Sequence, residues 1–207
     1  ALARSLALSL SLSLSLGPGA RGSGYTEICH GRRESICGVW KVWIFPHHIN
    51  SPRVTELSQN LAKEELQADL FVPDSGNLHL PVHEPGKSEN RIIIMNCLGL
   101  LAHAYALAQF CYIGGAYHHR VHNTAEAAAL GIPIITGPRI EPSPIAVDLR
   151  QAGALFVAPS TRLLKEITFR LAEESMFRKR QGKIGKKLLT GRQGASRDFC
   201  DQFDIGS

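Results

Sequence analysis

Short apolar runs alternate with helix-length amphipathic segments between residues 40 and 190. The apolar runs are at residues 41–45, 69–73, 91–96, 109–115, 132–136 and 154–158. The helix-length segments are at residues 54–66, 98–108, 143–153, 161–173 and 175–189. Most of the runs are continuously apolar, which is typical of strands that are buried on both faces. The alternation therefore predicts βαβ crossovers and a doubly wound α/β domain with a mostly parallel sheet.

Punctuating residues support several of these helices. Ser143 precedes Pro144, which is the pattern of an N-cap followed by proline at the first helical position, and Gly153 is placed to end the same helix. Ser160 or Thr161 can cap the next helix. The sequence thus predicts where two helices begin and where one ends.

The first 39 residues have a different composition from the rest of the chain. They begin with ALARSLALSLSLSLSL, in which serine occupies every second position from residue 9 to residue 15. A signal peptide or a membrane span needs a continuous apolar core, which this alternation does not provide. We therefore expect a low-complexity or poorly determined leader at 1–39, followed by one domain at 40–207. Because the chain begins with alanine, we also expect it to be a fragment.

Composition narrows the class of protein only slightly. Of the 207 residues, 44% are hydrophobic and 20% are charged, which argues against general disorder. The formal net charge of +5 favours anionic partners without choosing among them. The run RKRQGKIGKK at 178–187 carries much of this charge, and a solvated helix face is its simplest interpretation. The five cysteines form no C-x-x-C pair, which favours a reducing compartment.

The passage GGAYHHRVHNTAEAAALGIPIITGP at 114–138 concentrates the candidate chemistry. Gly114 and Gly115 end a predicted strand, and ligands of doubly wound sheets bind beyond the carboxyl ends of strands. Asn123 and Glu126 have the spacing of a capping box at the start of a helix. A glycine turn ahead of a helix start can hold phosphate or carboxylate, and Glu126 can accept hydrogen bonds from a sugar. Both roles of Glu126 are compatible, because a capping glutamate leaves one carboxylate oxygen available.

Other site types receive less support. His118, His119 and His122 precede the predicted helix and lack a cysteine partner or a suitably spaced carboxylate, so a metal site is not predicted. His103, on a helix rich in alanine and leucine, is expected to be packed or partly exposed. No G-x-G-x-x-G follows a predicted strand, and there is no G-x-x-x-x-G-K-[ST] or G-x-S-x-G motif, which argues against dehydrogenase, P-loop and α/β-hydrolase functions.

The same passage resembles a family motif. CYIGGAYHHRVHNTAEAAALGIPIITGP is similar to the GG…HN-x-x-E-x-A-x-x-G-x-P…GP passage of the 3-deoxy-D-manno-oct-2-ulosonic acid (Kdo) transferases, and HNTAE with GPRI…SPIAVDL resembles chlamydia-like members. PHH at 46–48 is similar to the family's P-R-H, and NCLGLL at 96–101 to its D-T-x-G-E-L. The HN-x-x-E passage is the specific part of this resemblance, which covers about residues 40–200.

The resemblance implies a fold, an activity and a site. The implied fold is a Rossmann-like parallel sheet that forms the carboxyl-terminal, donor-binding half of a GT-B glycosyltransferase. The implied activity is transfer of Kdo from CMP-Kdo to a lipid A precursor in lipopolysaccharide synthesis, at the cytoplasmic face of the bacterial inner membrane. No metal, other cofactor or nucleic acid is implied. By position in the motifs, the residues that would bind CMP-Kdo are His48, Gly99, Gly114, Gly115, His122, Asn123 and Glu126.

Departures from the family pattern leave alternatives open. His47 replaces an arginine, Asn96 an aspartate and Leu100 a glutamate. The family's catalytic base is a glutamate of the amino-terminal domain, which has no counterpart here, so no catalytic residue is assigned and the chain alone is expected to be inactive. A nucleotide-sugar epimerase-like enzyme and a decayed, non-catalytic GT-B module are the alternatives.

Overall fold

The computed structural model describes residues 10–16, 40–47, 49, 52–73, 92–117 and 119–191. The strands are β1 (Leu10–Leu16), β2 (Trp40–Pro46), β3 (Ala68–Phe71), β4 (Ile92–Met95), β5 (Phe110–Ile113), β6 (Ile134–Thr136) and β7 (Leu155–Val157). The helices are α1 (Pro52–Lys63), α2 (Leu101–Leu107), α3 (Ala125–Ala129), α4 (Pro144–Ala152), α5 (Thr161–Glu173) and α6 (Ser175–Thr190). Within these residues, the seven strands form one sheet in the order β3-β4-β2-β1-β5-β6-β7. The predicted α/β fold is confirmed.

Six of these strands share one direction. β2 and β3 each pair in parallel with β4, and β6 pairs in parallel with β5 and β7. β1 is antiparallel to both β2 and β5, so those two strands also point the same way. The carboxyl ends of β2, β4, β5 and β6 therefore meet at one edge of the sheet, where the sequence places the candidate residues.

The central strand β1 was not predicted. It comes from the expected leader and pairs Leu10 with Pro46 and Ser11 with both Phe45 and Ile113. The alternation of leucine and serine that weakens a membrane or signal segment has the two-residue period of a strand. A domain beginning at residue 40 remains a prediction, but the sheet includes a strand from the segment before it.

Alternate residues of the strands bury two opposite faces of the sheet. Val42 and Ile44 join an apolar cluster with α1 and α5, whereas Trp43 and Phe45 join another with α2. A third cluster packs β5 and β6 against α3 and α4. Full burial of one such side chain contributes about 1.5–3 kcal/mol. Helices cover both faces, which explains why the strand sequences are continuously apolar.

The predicted caps of α4 and α5 are confirmed. The hydroxyl of Ser143 accepts a hydrogen bond from the backbone N–H of Ala146 at 3.3 Å, and Ser160 does the same for Leu163 at 3.3 Å. Gly153 ends α4 with a φ of 85°. The sequence could predict these two caps and this helix end because each depends on residues only a few positions apart.

The bounds of α1 differ from the prediction of 54–66. The helix begins at Pro52, because proline suits the first helical turn. It ends at Lys63, after which Glu65 has a φ of 62° and Leu66 donates its N–H to the carbonyl of Leu61 at 2.9 Å. That hydrogen bond closes the helix without the usual glycine.

The last helix, α6, packs through a face of small residues. A Cβ added at Gly182 would lie 1.9 Å from the carbonyl oxygen of Gly131, and one at Gly185 would lie 3.1 Å from the Cβ of Ala154. Buried Arg178 donates hydrogen bonds to the carbonyls of Leu171 and Ala172 near the end of α5. These contacts fix which face of α6 is buried.

The Gly182→Ala substitution tests this close packing. Alanine is a better helix former than glycine by about 1 kcal/mol, so an uncrowded site would gain stability. Here the added methyl group overlaps the backbone of Gly131, and we expect a net loss of roughly 1–3 kcal/mol. Urea unfolding followed by circular dichroism measures the change.

A matched control is Gly191→Ala, at the exposed end of α6. A Cβ at Gly191 would lie 3.5 Å from the nearest atom, which is ordinary contact. We expect that variant to stay within about 0.5 kcal/mol of the parent protein. Equal stability of the two variants would contradict the close contact between Gly182 and Gly131.

Candidate functional site

The candidate site lies where the sheet topology reverses. After β2 the chain forms the edge strand β3 and then β4 between β3 and β2, whereas from β5 it continues to β6 and β7 on the other side of the sheet. A crevice opens beyond the carboxyl ends of the strands at such a switch point. The loops after β2 and β5 flank this position, although β1 separates the two strands.

The loop after β5 closes tightly on its own glycines. Gly115 has a φ of 94°, a conformation that favours glycine. A Cβ there would lie 2.3 Å from the carbonyl oxygen of Arg120 and 3.2 Å from the ring of His122. The carbonyl of Gly114 accepts a hydrogen bond from the N–H of His122 at 3.2 Å, and that of Gly115 accepts one from His119 at 3.0 Å. The glycine pair thus forms a compact turn that holds His122 against its backbone.

The loop after β6 supports this turn. Arg139 donates its N–H to the carbonyl of Ala116 at 2.9 Å, and its own carbonyl accepts from Val121 at 3.3 Å. A Cβ at Gly137 would lie 2.9 Å from the ring of Tyr117, whose hydroxyl donates to the carbonyl of Ala158. Sequence reasoning gave these residues no role. Only the GP at the end of the quoted motif signalled that 137 and 138 belong to the same unit.

Asn123 and Glu126 interact at the start of α3. The side-chain amide of Asn123 donates to Oε1 of Glu126 at 2.9 Å, and its carbonyl oxygen accepts from the N–H of Ala125 at 3.0 Å. In a capping box the glutamate would accept from the backbone of the N-cap residue instead. Here Thr124 is the N-cap and has no side-chain capping hydrogen bond, so the two predicted residues interact but the predicted capping box does not form. Both side chains are exposed. The second carboxylate oxygen of Glu126 makes no hydrogen bond with any described residue.

His47 links the end of β2 to this loop. Its ring stacks on that of His122, with the centroids 4.9 Å apart and the planes inclined by 12°. Burial lowers the pKa of His122, and the nearby charges of His47 and Arg120 lower it further. The neutral form of His122 is therefore favoured in the folded protein.

Two buried polar atoms in this region lack partners among the described residues. They are Nε2 of His122 and the hydroxyl of Thr124, a residue that is 2% exposed. An unsatisfied buried polar group costs about 1–3 kcal/mol. Such atoms at a sheet edge are candidates for contact with a bound molecule.

The other predicted site residues are only partly brought to this position. Gly99 lies exposed with a φ of 88° on the loop after β4, at the same sheet edge but separated from β5 by β2 and β1. His48 lies outside the described residues. Leu100, which replaces the family's glutamate, is 1% exposed and packs with Trp43, Phe45 and other apolar side chains. That position fills the core and offers no acid to a ligand.

The described part of the chain contains neither a metal-binding cluster nor a membrane-spanning helix. There, no group of three or more histidine, cysteine, aspartate or glutamate residues is arranged to hold a metal ion. His119 is exposed and His118 lies outside the described residues. No helix within the described ranges is long and apolar enough to cross a membrane.

Known proteins match this chain in sequence and in fold. A 3-deoxy-D-manno-octulosonic acid transferase from Chlamydophila psittaci (strain ATCC VR-125 / 6BC) is 31% identical over 133 residues, which cover 63% of this chain and 28% of that protein. The resemblance to Kdo transferases is confirmed. The crystal structure of the C-terminal CMP-Kdo binding domain of WaaA from Acinetobacter baumannii has a TM-score of 0.55 and 21% identity, with 70% of each chain covered. No protein-family model matches the chain.

The structural match concerns the fold, and the sequence match concerns how much of the relative's length this chain covers. The structural match at 21% identity shows that this chain shares the Rossmann-like α/β fold of that C-terminal domain. The sequence match spans 28% of its Chlamydophila relative, so this Kdo-transferase-like chain corresponds to little more than a quarter of that protein's length.

The stacking of His47 on His122 leads us to expect that the stability of the fold depends on pH. Unfolding raises the pKa of His122 toward about 6.5, so the unfolded chain binds a proton more readily than the folded one does. Its contribution to stability is therefore full above about pH 6.5 and is lost as the pH falls toward the folded pKa. In His47→Gln we expect the pKa of His122 to rise, because both the neighbouring charge and part of the burial are removed. Titration of the histidine ring protons by NMR measures this shift.

His103→Gln provides the control, because this residue is an exposed histidine on α2. We expect the titration of His122 to be unchanged in that variant. An equal pKa for His122 in the parent protein and in His47→Gln would contradict the electrostatic contact between the stacked rings.

Proposed function

We propose that this segment binds CMP-Kdo as the donor domain of a Kdo transferase. The whole protein would transfer Kdo to a lipid A precursor at the cytoplasmic face of the bacterial inner membrane, as a peripheral enzyme without a cofactor. The observation that carries the proposal is the geometry of Glu126. Asn123 holds one carboxylate oxygen at 2.9 Å and leaves the other exposed beside the turn after β5.

A nucleotide donor suits the groups at this edge. Arg120 and Arg139 are exposed on the two adjacent loops, so the local charge favours an anionic phosphate. Because α3 has only five residues, its dipole adds little. The turn at Gly114 and Gly115 and the unpartnered Nε2 of His122 are the groups that would meet the phosphate, and Glu126 would accept hydrogen bonds from the ribose hydroxyls.

His48 and Gly99 are part of the same proposal. The expected roles of these two residues come from the motifs P-R-H and D-T-x-G-E-L, which this chain carries in altered form. His47, which stacks on His122, is a further candidate for contact with the donor, because it reaches the loop after β5 from the end of β2. The lipid A precursor would bind elsewhere in the whole protein.

Glu126→Gln distinguishes a ligand from a cap. Glutamine can still accept the hydrogen bond from Asn123, so we expect the free energy of unfolding to change by less than about 0.5 kcal/mol. Loss of the charged acceptor should weaken CMP binding by roughly 1.5–3 kcal/mol, the scale of a hydrogen bond to a charged group. Calorimetric titration of CMP, with thermal melts alongside, measures both quantities.

The matched control is Glu173→Gln, which makes the same chemical change at the exposed end of α5. We expect it to leave CMP affinity unaltered. Unchanged affinity in Glu126→Gln would reduce that residue to a structural role, and tighter binding of UMP than of CMP would favour an epimerase-like enzyme.

A decayed module is the second candidate function, and Leu100 favours it. Leucine stands here in place of the glutamate of the family motif, so this position has no carboxylate, and its side chain is buried among apolar residues. A protein that has lost donor affinity would keep its fold but bind neither nucleotide. Failure of the parent chain to bind CMP would support this candidate.

We expect no useful Kdo transfer by this chain alone. A positioned general base typically contributes about 10²–10⁴-fold to the rate, and the resemblance assigns that base to an amino-terminal domain. An assay with CMP-Kdo and a lipid A precursor, with and without a Kdo-transferase amino-terminal domain fused to the chain, measures this dependence. Robust transfer by the unfused chain would show that the base lies within these 207 residues.

A further inference from the structure

The exposed face of α6 combines positive charge with apolar groups. At about 100° per residue, Met176, Arg180, Lys183 and Lys187 fall on one stripe of the helix. Lys179 and Lys186 border the stripe on one side, and Phe177 and Ile184 border it on the other. The basic run that the sequence presents as a solvated helix face is therefore ordered into a single amphipathic surface, which we call the α6 basic face.

The α6 basic face carries five exposed cations. Lys179, Arg180, Lys183, Lys186 and Lys187 are all exposed, and none forms an ion pair with a described residue. The described ion pairs join Arg162 to Glu166 at 2.9 Å and Arg170 to Glu174 at 3.2 Å, and neither includes a residue of the α6 basic face. Five uncompensated cations on one helix repel each other, and an anionic partner would relieve that repulsion.

Apolar groups lie within the same surface. Met176 is 77% exposed at the start of the helix, and it lies beside the stems of the basic side chains and the outer edges of Phe177 and Ile184, which are partly buried against the core. Lysine and arginine stems bury their methylene groups while the charged ends remain in polar surroundings. A surface of this kind matches the boundary between lipid headgroups and acyl chains.

The packing of α6 fixes the orientation of this face. Gly182 and Gly185 lie against the body of the domain, and Arg178 is held by carbonyl groups of α5. These three residues lie on the side of the helix opposite the stripe. The basic face is thus presented on a rigid element and does not depend on a change in the fold.

We infer that the α6 basic face binds the surface of a membrane that contains acidic phospholipids. The inference deepens the proposed function, because a lipid acceptor lies in such a membrane. Uncompensated cations would attract the headgroups, and Met176 with its apolar neighbours would enter the interface. A nucleic acid would contact the same cations through its phosphates, but binding of a single strand also depends on base stacking on aromatic rings, and none of the four residues of the stripe is aromatic.

Vesicle binding by the 207-residue chain tests the inference. Vesicles of phosphatidylcholine with phosphatidylglycerol should bind the protein, and vesicles of phosphatidylcholine alone should not. Each cation near an anionic surface contributes about fivefold to binding, so Lys183→Gln combined with Lys187→Gln should weaken binding roughly 25-fold. Met176→Ser should weaken binding to the vesicles but leave binding to a single-stranded oligonucleotide unchanged.

The charge-matched control places the same substitutions on another helix. Arg53→Gln combined with Lys63→Gln, both exposed on α1, changes the net charge equally. An equal loss in the two double variants, or tighter binding of the oligonucleotide than of the acidic vesicles, would overturn the inference. Thermal melts check that all variants are folded.

A CMP titration of the parent chain separates this inference from the proposed function. CMP binding without vesicle binding would overturn the membrane inference alone. Vesicle binding without CMP binding would overturn only the donor-binding proposal.

Discussion

Burial of the strands on both faces is the constraint on which the rest of this structure depends. Strands as short as Ile92–Met95 and Phe110–Ile113 have every residue buried, so helices must cover each side of the sheet. A chain that places a helix between successive parallel strands returns each time to the same edge. The carboxyl ends of β2, β4 and β5 consequently meet at one edge, and the candidate residues follow those ends. The site is thus a geometric result of how the core is filled.

Close backbone approach then shapes the edge. Gly115 accommodates the carbonyl of Arg120 and the ring of His122, Gly137 accommodates the ring of Tyr117, and Gly182 accommodates the backbone of Gly131. Each is a position where a single methyl group would collide with a neighbour. The first two hold the turn after β5, and the third holds α6 against the domain. The same device therefore supports both the proposed donor site and the proposed membrane face.

Two of the replacements relative to the family motif, His47 and Leu100, differ in their physical effect. His47 remains at the site, where it stacks on His122 and helps to lower the pKa of that residue. Leu100 does not contribute to the site, because its side chain packs in the apolar cluster beneath α2. One change alters the chemistry of the crevice and the other exchanges a polar group for core packing. A donor pocket altered in this way would rely more on Glu126 and the glycine turn.

Much of the fold was determined by local patterns in the sequence. Continuous apolar runs predicted β2, β4 and β5, and the caps at Ser143 and Ser160 needed only residues a few positions away. The spacing of Asn123 and Glu126 likewise predicted that these residues lie together at a helix start, although the structure joins their side chains to each other and does not form the predicted capping box.

Only the tertiary structure decided the contacts between segments distant in the sequence. The stacking of His47 on His122, the burial of Leu100 and the pairing of β1 between β2 and β5 depend on which strands are adjacent. A periodic pattern specifies which face of an element is apolar, but it does not specify the neighbour against which that face packs. The sequence by itself therefore determined the α/β architecture and predicted several residues of the candidate site, whereas their arrangement followed from the order of strands in the sheet.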